Sequence, residues 1–172
     1  YPDASFVLVS KSLKALQMLA SACRSEFDIP IIGITGSNGK TIVKEWINQL
    51  LSPSLHIVRS PRSYNSQIGV PLSVWLLTEH SELGVFEAGI SEQGEMGALQ
   101  KIIKPTIGVF TNLGTAHQEN FISKEVKCLE KLELFSNSDV LIYNSDSAIV
   151  QRCVEQKFKH QKLAWSYVDK NA

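Results

Sequence analysis

Net charge is missing from this chain: seventeen lysines and arginines balance seventeen aspartates and glutamates over 172 residues. A neutral chain offers no electrostatic field for a nucleic acid, a membrane surface or a strongly acidic partner, so a charged ligand has to be held by local geometry. Cysteine is scarce. Cys23, Cys128 and Cys153 are scattered, odd in number and without C-x-x-C spacing, which argues against a disulfide framework and reads as buried, reduced thiols of a cytosolic protein. No apolar run approaches the ~20 residues that cross a bilayer, and no secretory leader pattern is present. The expected location is the cytoplasm. Repeats and low-complexity tracts are absent as well.

What is present is an alternation of short apolar runs with helical periodicity, at a length that suits one domain of ~100–200 residues. Runs at 31–34, 55–58, 83–87, 106–110, 140–143 and 163–167 read as strands. Between them, helices are expected at 11–24 with Leu13, Leu16, Leu19, Ala20 and Cys23 packed, and at about 41–51 with Val43, Trp46, Ile47 and Leu50 facing inward, ended by Pro53. A further helix from 123 to 135 presents Val126, Leu129, Leu132 and Phe135 to the core, while Lys124, Lys127 and Lys131 recur along another face as a basic stripe, two of the three solvated. The fold class is α/β: a three-layer α/β/α arrangement around a mainly parallel sheet.

The stretch Gly33-Ile-Thr-Gly-Ser-Asn-Gly-Lys-Thr41 runs from an apolar strand through a glycine-rich turn into a helix. Such a turn is a phosphate cradle. Gly36 and Gly39 let successive N–H groups face inward, the helix adds its positive end, Lys40 reaches terminal phosphates, and the Thr41 hydroxyl suits a magnesium ion. The pattern G-x-x-x-x-G-K-[ST] is met except at its first glycine, where Ile34 stands. Other polar segments follow strands: Ser63 to Pro71, Glu87 at a strand end, Asn112 to His117, and Asn144-Ser145-Asp146. Ligands of an open α/β sheet lie at the carboxyl ends of its strands. Each segment also has a plain reading: an Asn/Ser loop capping a helix, a surface glutamate, a solvated histidine, and a turn with an N-cap.

Four segments together, Thr35 to Thr41, Tyr64 to Pro71, Glu87-Ala88-Gly89 with Gly94-Glu95-Met96, and Asn112 to His117, resemble the central, ATP-binding domain of the Mur ligases. The likeness is closest to the MurF type, which adds D-alanyl-D-alanine to UDP-N-acetylmuramoyl-tripeptide in peptidoglycan synthesis. The family loop has the form T-G-[ST]-[NK]-G-K-T and also lacks the first glycine. The resemblance implies ATP and Mg2+, with Lys40 and the loop Gly36, Ser37, Asn38, Gly39 and Thr41 on the phosphates. Thr41 and Glu87 would serve a first magnesium ion and His117 a second. Asn65 would lie near the γ-phosphate, and Asn144 with Asp146 by the base and ribose, although the sequence there departs from the family's N-x-D-D form. Glu130 to Phe135 resembles the segment around a lysine that takes up carbon dioxide as a carbamate, which puts Lys131 in that role and on a metal. Lys40, Glu87, His117 and Lys131 are thus the implied catalytic set.

By the same resemblance, residues 1–10 are the tail of a preceding segment and 11–172 the central domain. UDP-binding and C-terminal ligase domains would flank it in one polypeptide, and the ends of the chain read as cut from something longer. The wording of 107–143 is similar to the subgroup fused to an alanine racemase, whose pyridoxal phosphate domain would lie beyond Ala172. Two other functions fit part of the pattern: a folylpolyglutamate synthase-like ligase, and a nucleotide-binding regulatory module that needs only Lys40 and Thr41.

Overall fold

The computed structural model describes residues 5–115 and 118–167. Six helices and six strands follow one another in the order α1 (Ser12–Ser25), β1 (Ile31–Thr35), α2 (Lys40–Leu51), β2 (Ile57–Arg59), α3 (Gly69–Val74), β3 (Leu83–Glu87), α4 (Met96–Ile103), β4 (Ile107–Phe110), α5 (Lys124–Leu132), β5 (Val140–Asn144), α6 (Ala148–Lys157) and β6 (Gln161–Trp165). The strands form one sheet in the order β2-β3-β1-β4-β5-β6. Every pairing is parallel.

That order explains the layers. Right-handed crossovers put a helix on one face or the other according to the direction the chain travels across the sheet. Only the β1-to-β2 connection runs toward the β2 edge, so among the described helices α2 alone covers its face, over Ile32, Ile34, Leu83 and Val85. The remaining connections run the other way. Residues of α1, α3, α4, α5 and α6 join Phe86, Phe110 and Leu141 in the larger core on the opposite face. The winding reverses beside β1, where an open sheet leaves a crevice at its carboxyl ends.

Three sequence expectations shift. In α1, Ala20 and Arg24 are the buried residues, while Leu13 and Leu19 are exposed. In α2, Trp46 is 61% exposed and Leu50 78%, whereas Val43 and Ile47 pack on the sheet as expected. Lys127 is buried, not solvated. Its ammonium donates to the Gly114 carbonyl at 2.9 Å, because α5 lies directly beneath the loop that follows β4. Ser123 and Ser147 cap α5 and α6 by accepting from Val126 N and Val150 N.

Candidate active site

The glycine loop sits where β1 emerges between β3 and β4. Gly36 has φ +147°, and a Cβ there would lie 2.0 Å from Thr111 Oγ1 and 3.0 Å from Asn112 N. Only glycine lets the loop lie against the segment after β4. The two are laced together: Ser37 N donates to Asn112 O and Asn38 N to Asn112 Oδ1, both at 2.9 Å, while Thr111 Oγ1 donates to Asn38 O at 2.6 Å. Gly39, at φ +81°, turns the chain into α2, whose first N–H groups have no intrahelical acceptors.

Two ammonium groups converge on one carbonyl of this loop. Lys40 Nζ donates to Gly36 O at 3.0 Å and Lys131 Nζ, from α5, to the same oxygen at 3.3 Å. Burial lowers the Lys40 pKa, with Glu87 opposing. Lys131 is lowered further, to about 7, by burial first and then by the charges of Lys40 and Lys127. The loop thus holds a concentration of positive charge with one amine near neutrality.

Opposite them stands Glu87, fully buried at the end of β3. It is not a surface residue. Its Oε2 accepts from Thr41 Oγ1 at 3.1 Å and from Asn65 Nδ2 at 3.5 Å. Oε1 lies 3.0 Å from Lys44 Nζ and completes no hydrogen bond among the described residues, so it is held by charge more than by an aligned bond. Asn65 is fixed through its own carbonyl, which accepts from Gly89 N at 2.8 Å. A cavity of about 390 Å³ opens between Asn65 and the glycine loop, lined by Gly36, Ser37, Lys40, Asn65, Gln67 and Lys131.

Lys44 and Asn112 were not among the residues the sequence singled out. Lys44 reads as part of a polar helix face, and no motif marks it. Asn112 stood inside a segment noted for His117. His117 itself lies outside the described residues. Asn144 and Asp146 stand at the end of β5, bonded to each other through Asp146 N and Asn144 Oδ1 at 2.8 Å. Asp146 also accepts from Tyr167 N at 2.9 Å and from the Ser166 hydroxyl. They hold the end of β6, two strands from the glycine loop.

Among the described residues no group of three or more His, Cys, Asp or Glu side chains forms a metal cage. Magnesium keeps several waters and takes one or two carboxylates together with substrate phosphates. A hydroxyl and a buried carboxylate oxygen 3.1 Å apart, Thr41 and Glu87, beside the glycine loop fit that ion.

The sequence profile of the Mur ligase middle domain matches residues 34–172. The chain belongs to the Mur ligase family. It is 36% identical over 148 residues to the UDP-N-acetylmuramoyl-tripeptide--D-alanyl-D-alanine ligase of Bacillus subtilis, covering 84% of this chain and 32% of that protein. Superposed on the MurF ligase of Thermotoga maritima in complex with ADP, it gives a TM-score of 0.85 at 28% identity, over 95% of this chain and 38% of the other. A mutant L. casei FPGS aligns at TM-score 0.68 and 15% identity over 92% of this chain and 51% of that one, a likeness of fold. The Mur ligase domain described here spans about a third of the length of the curated relatives it matches.

Proposed function

We propose that this domain is the nucleotide-binding centre of an ATP-dependent ligase joining D-alanyl-D-alanine to UDP-N-acetylmuramoyl-tripeptide. The observation that carries the reading is the convergence of Lys40 and Lys131 on the Gly36 carbonyl at a cavity that Asn65 also lines, with the Thr41–Glu87 pair bonded to Asn65 behind it. The name of the Bacillus subtilis relative supports the substrates. The ADP complex of the Thermotoga maritima neighbour supports the nucleotide.

In this reading the terminal carboxylate of the tripeptide attacks the γ-phosphorus of ATP. The bond to the β,γ-bridging oxygen breaks, ADP leaves and an acyl phosphate remains. The amine of D-alanyl-D-alanine then attacks the acyl carbon, phosphate departs and the amine gives up a proton. Lys40 and the first N–H groups of α2 hold the phosphates and offset charge that grows in transfer. Thr41 and Glu87 hold Mg2+, which neutralises phosphate charge when bound, and His117 is proposed for a second ion. Asn65 orients the γ-phosphate. Asn144 and Asp146 contact the base and ribose.

Lys131 takes a separate part. A neutral amine attacks carbon dioxide, a C–N bond forms, one C=O electron pair moves to oxygen and the ammonium proton leaves to solvent. The resulting carbamate is an anion beside two lysines and a metal site, and a pKa of about 7 leaves enough neutral amine for it to form. Flanking segments of the same polypeptide hold the UDP end and deliver the dipeptide. ATP supply places the reaction in the cytoplasm, and no described helix is long and apolar enough to cross a membrane.

The folylpolyglutamate synthase alternative rests on fold alone at 15% identity. Equilibrium titration of this chain with ATP and Mg2+ tests the site. Saturable binding that Lys40→Ala abolishes, with the thermal midpoint barely moved, is the expected result. Binding unchanged in Lys40→Ala would sink the phosphate-loop assignment.

A further inference from the structure

Lys44 is a lysine with no exposure at all, one turn beyond Thr41 on the same side of α2. Its ammonium donates to Ser60 O at 2.8 Å and to Arg62 O. It pairs with Glu87 Oε1 at 3.0 Å and Glu45 Oε1 at 3.2 Å. An ammonium has three donors and no acceptor, and here they are spread over three separate parts of the chain: the loop after β2, the end of β3 and α2 itself. The loop adds a second tie, since Glu87 N donates to Ser60 Oγ at 3.1 Å. Arg62 adopts φ +49°, an uncommon conformation for a residue other than glycine, in the turn whose carbonyl Lys44 binds.

We propose that Lys44 is a positioning residue that fixes the orientation of the Glu87 carboxylate for the nucleotide-bound metal; the proposal rests on the ligase reading above. The two carboxylate oxygens are used differently. Oε1 is turned against Lys44, and this leaves Oε2 as the oxygen that faces Thr41 Oγ1 and Asn65 Nδ2. Without the ammonium, nothing described holds Oε1, and rotation about the last side-chain bond carries Oε2 away from Thr41. The same ammonium anchors the loop at 60–62 that leads into Asn65, so one buried cation sets both the carboxylate and the amide opposite the phosphate loop. Ligand sets held by outer partners in this way lose roughly 10–100-fold in metal affinity when the partner is removed.

The test is Mn2+ binding to the ADP-saturated chain, read by the spectrum of the free ion, for the wild type, Lys44→Met, Glu87→Gln and the double variant. Metal-free ADP affinity and the unfolding midpoint are measured alongside. Lys44→Met is expected to weaken Mn2+ binding at least tenfold while leaving metal-free ADP affinity unchanged. In the Glu87→Gln background the same substitution is expected to add nothing, because the effect passes through Glu87. If Lys44→Met fails to fold, the double variant, which carries no unpaired buried charge, takes its place: equal Mn2+ affinity in Glu87→Gln and the double variant supports the proposal. Unchanged Mn2+ binding in folded Lys44→Met, or a further loss on adding it to Glu87→Gln, overturns the proposal and leaves the ligase site standing. A wild type that binds neither ADP nor its Mn2+ complex overturns the site reading and this proposal with it.

Discussion

Replacing Lys131 by methionine should stabilise this protein at pH 6 and do progressively less for it as the solution becomes alkaline. The residue is 3% exposed, and burial, with the neighbouring charges of Lys40 and Lys127, brings the pKa of its amine from 10.5 down to about 7. In the unfolded chain it returns to an ordinary lysine value. Between pH 7 and about 10.4, therefore, the unfolded chain carries a proton that the folded chain does not, and unfolding free energy rises with pH. At about 1.4 kcal/mol per pH unit the whole swing is roughly 5 kcal/mol. Below pH 7 the folded state holds the buried ammonium and its full cost. Methionine keeps most of the volume and has no charge to bury, so the variant should be more stable at pH 6 by a margin that shrinks across pH 7–10. Urea unfolding of both proteins, followed by tryptophan fluorescence from pH 6 to pH 10, gives the two curves, and their difference removes most titrations common to both. A margin that stays constant with pH refutes the depressed amine, and with it the physical basis for carbamate formation. The companion measurement is 13C-bicarbonate labelling. A carbamate resonance should grow in the wild type as pH rises through 7 and be absent from Lys131→Met.

Gly36→Ala should destabilise the domain by about 2–4 kcal/mol, since its methyl meets Thr111 Oγ1 at 2.0 Å in a backbone region strained for any side chain. Thr111→Ala should recover part of that loss in a urea series, and no recovery would mean that the backbone strain alone sets the cost. The chain alone should bind Mg-ATP yet make no peptide bond from UDP-N-acetylmuramoyl-tripeptide and D-alanyl-D-alanine, because positioning of the acceptor contributes ~7–11 kcal/mol to such reactions. Product formation at the rate of a full-length relative would show that these residues already contain the whole ligase site.

The sequence showed most clearly what depends on near neighbours in the chain. All six strands begin and end within two residues of where the apolar runs put them. The glycine loop opens a helix at Lys40, and Glu87 closes β3 beside Thr41. Contacts between distant segments were less legible. Lys127 looked solvated because its spacing matched that of the exposed Lys124, yet it lies under the Gly114 loop, which only the crossover from β4 to α5 brings there. Asn112 orders the glycine loop through both its oxygens across 74 or more positions, and nothing in its immediate sequence distinguishes it from an ordinary loop asparagine.

The largest disagreement, the facing of α2, has a cause that also bears on the site. Ile42, Val43, Trp46, Ile47, Leu50 and Leu51 sweep an apolar arc of about 180° at 3.6 residues per turn, so periodicity directs the middle of that arc, near Leu50 and Val43, toward the sheet. The helix is instead rotated so that Lys44, roughly 110° from the middle of the arc, takes the most buried position. Val43 and Ile47, at one side of the arc, still reach the sheet, while Ile42, Trp46 and Leu50 at the other are turned to solvent. Hydrophobic burial alone would favour the opposite rotation, because Trp46 and Leu50 together carry a large apolar area. Two constraints oppose it. The glycine loop fixes where α2 begins and which way Lys40 and Thr41 face. The ammonium of Lys44 then has acceptors only on the side of Ser60, Arg62 and Glu87, and turning it toward water would leave the Glu87 carboxylate buried without its counter-charge, at a cost of several kcal/mol. The phase of α2 is therefore set by the polar cluster behind the glycine loop, and exposed apolar surface on the far side of the helix is its consequence.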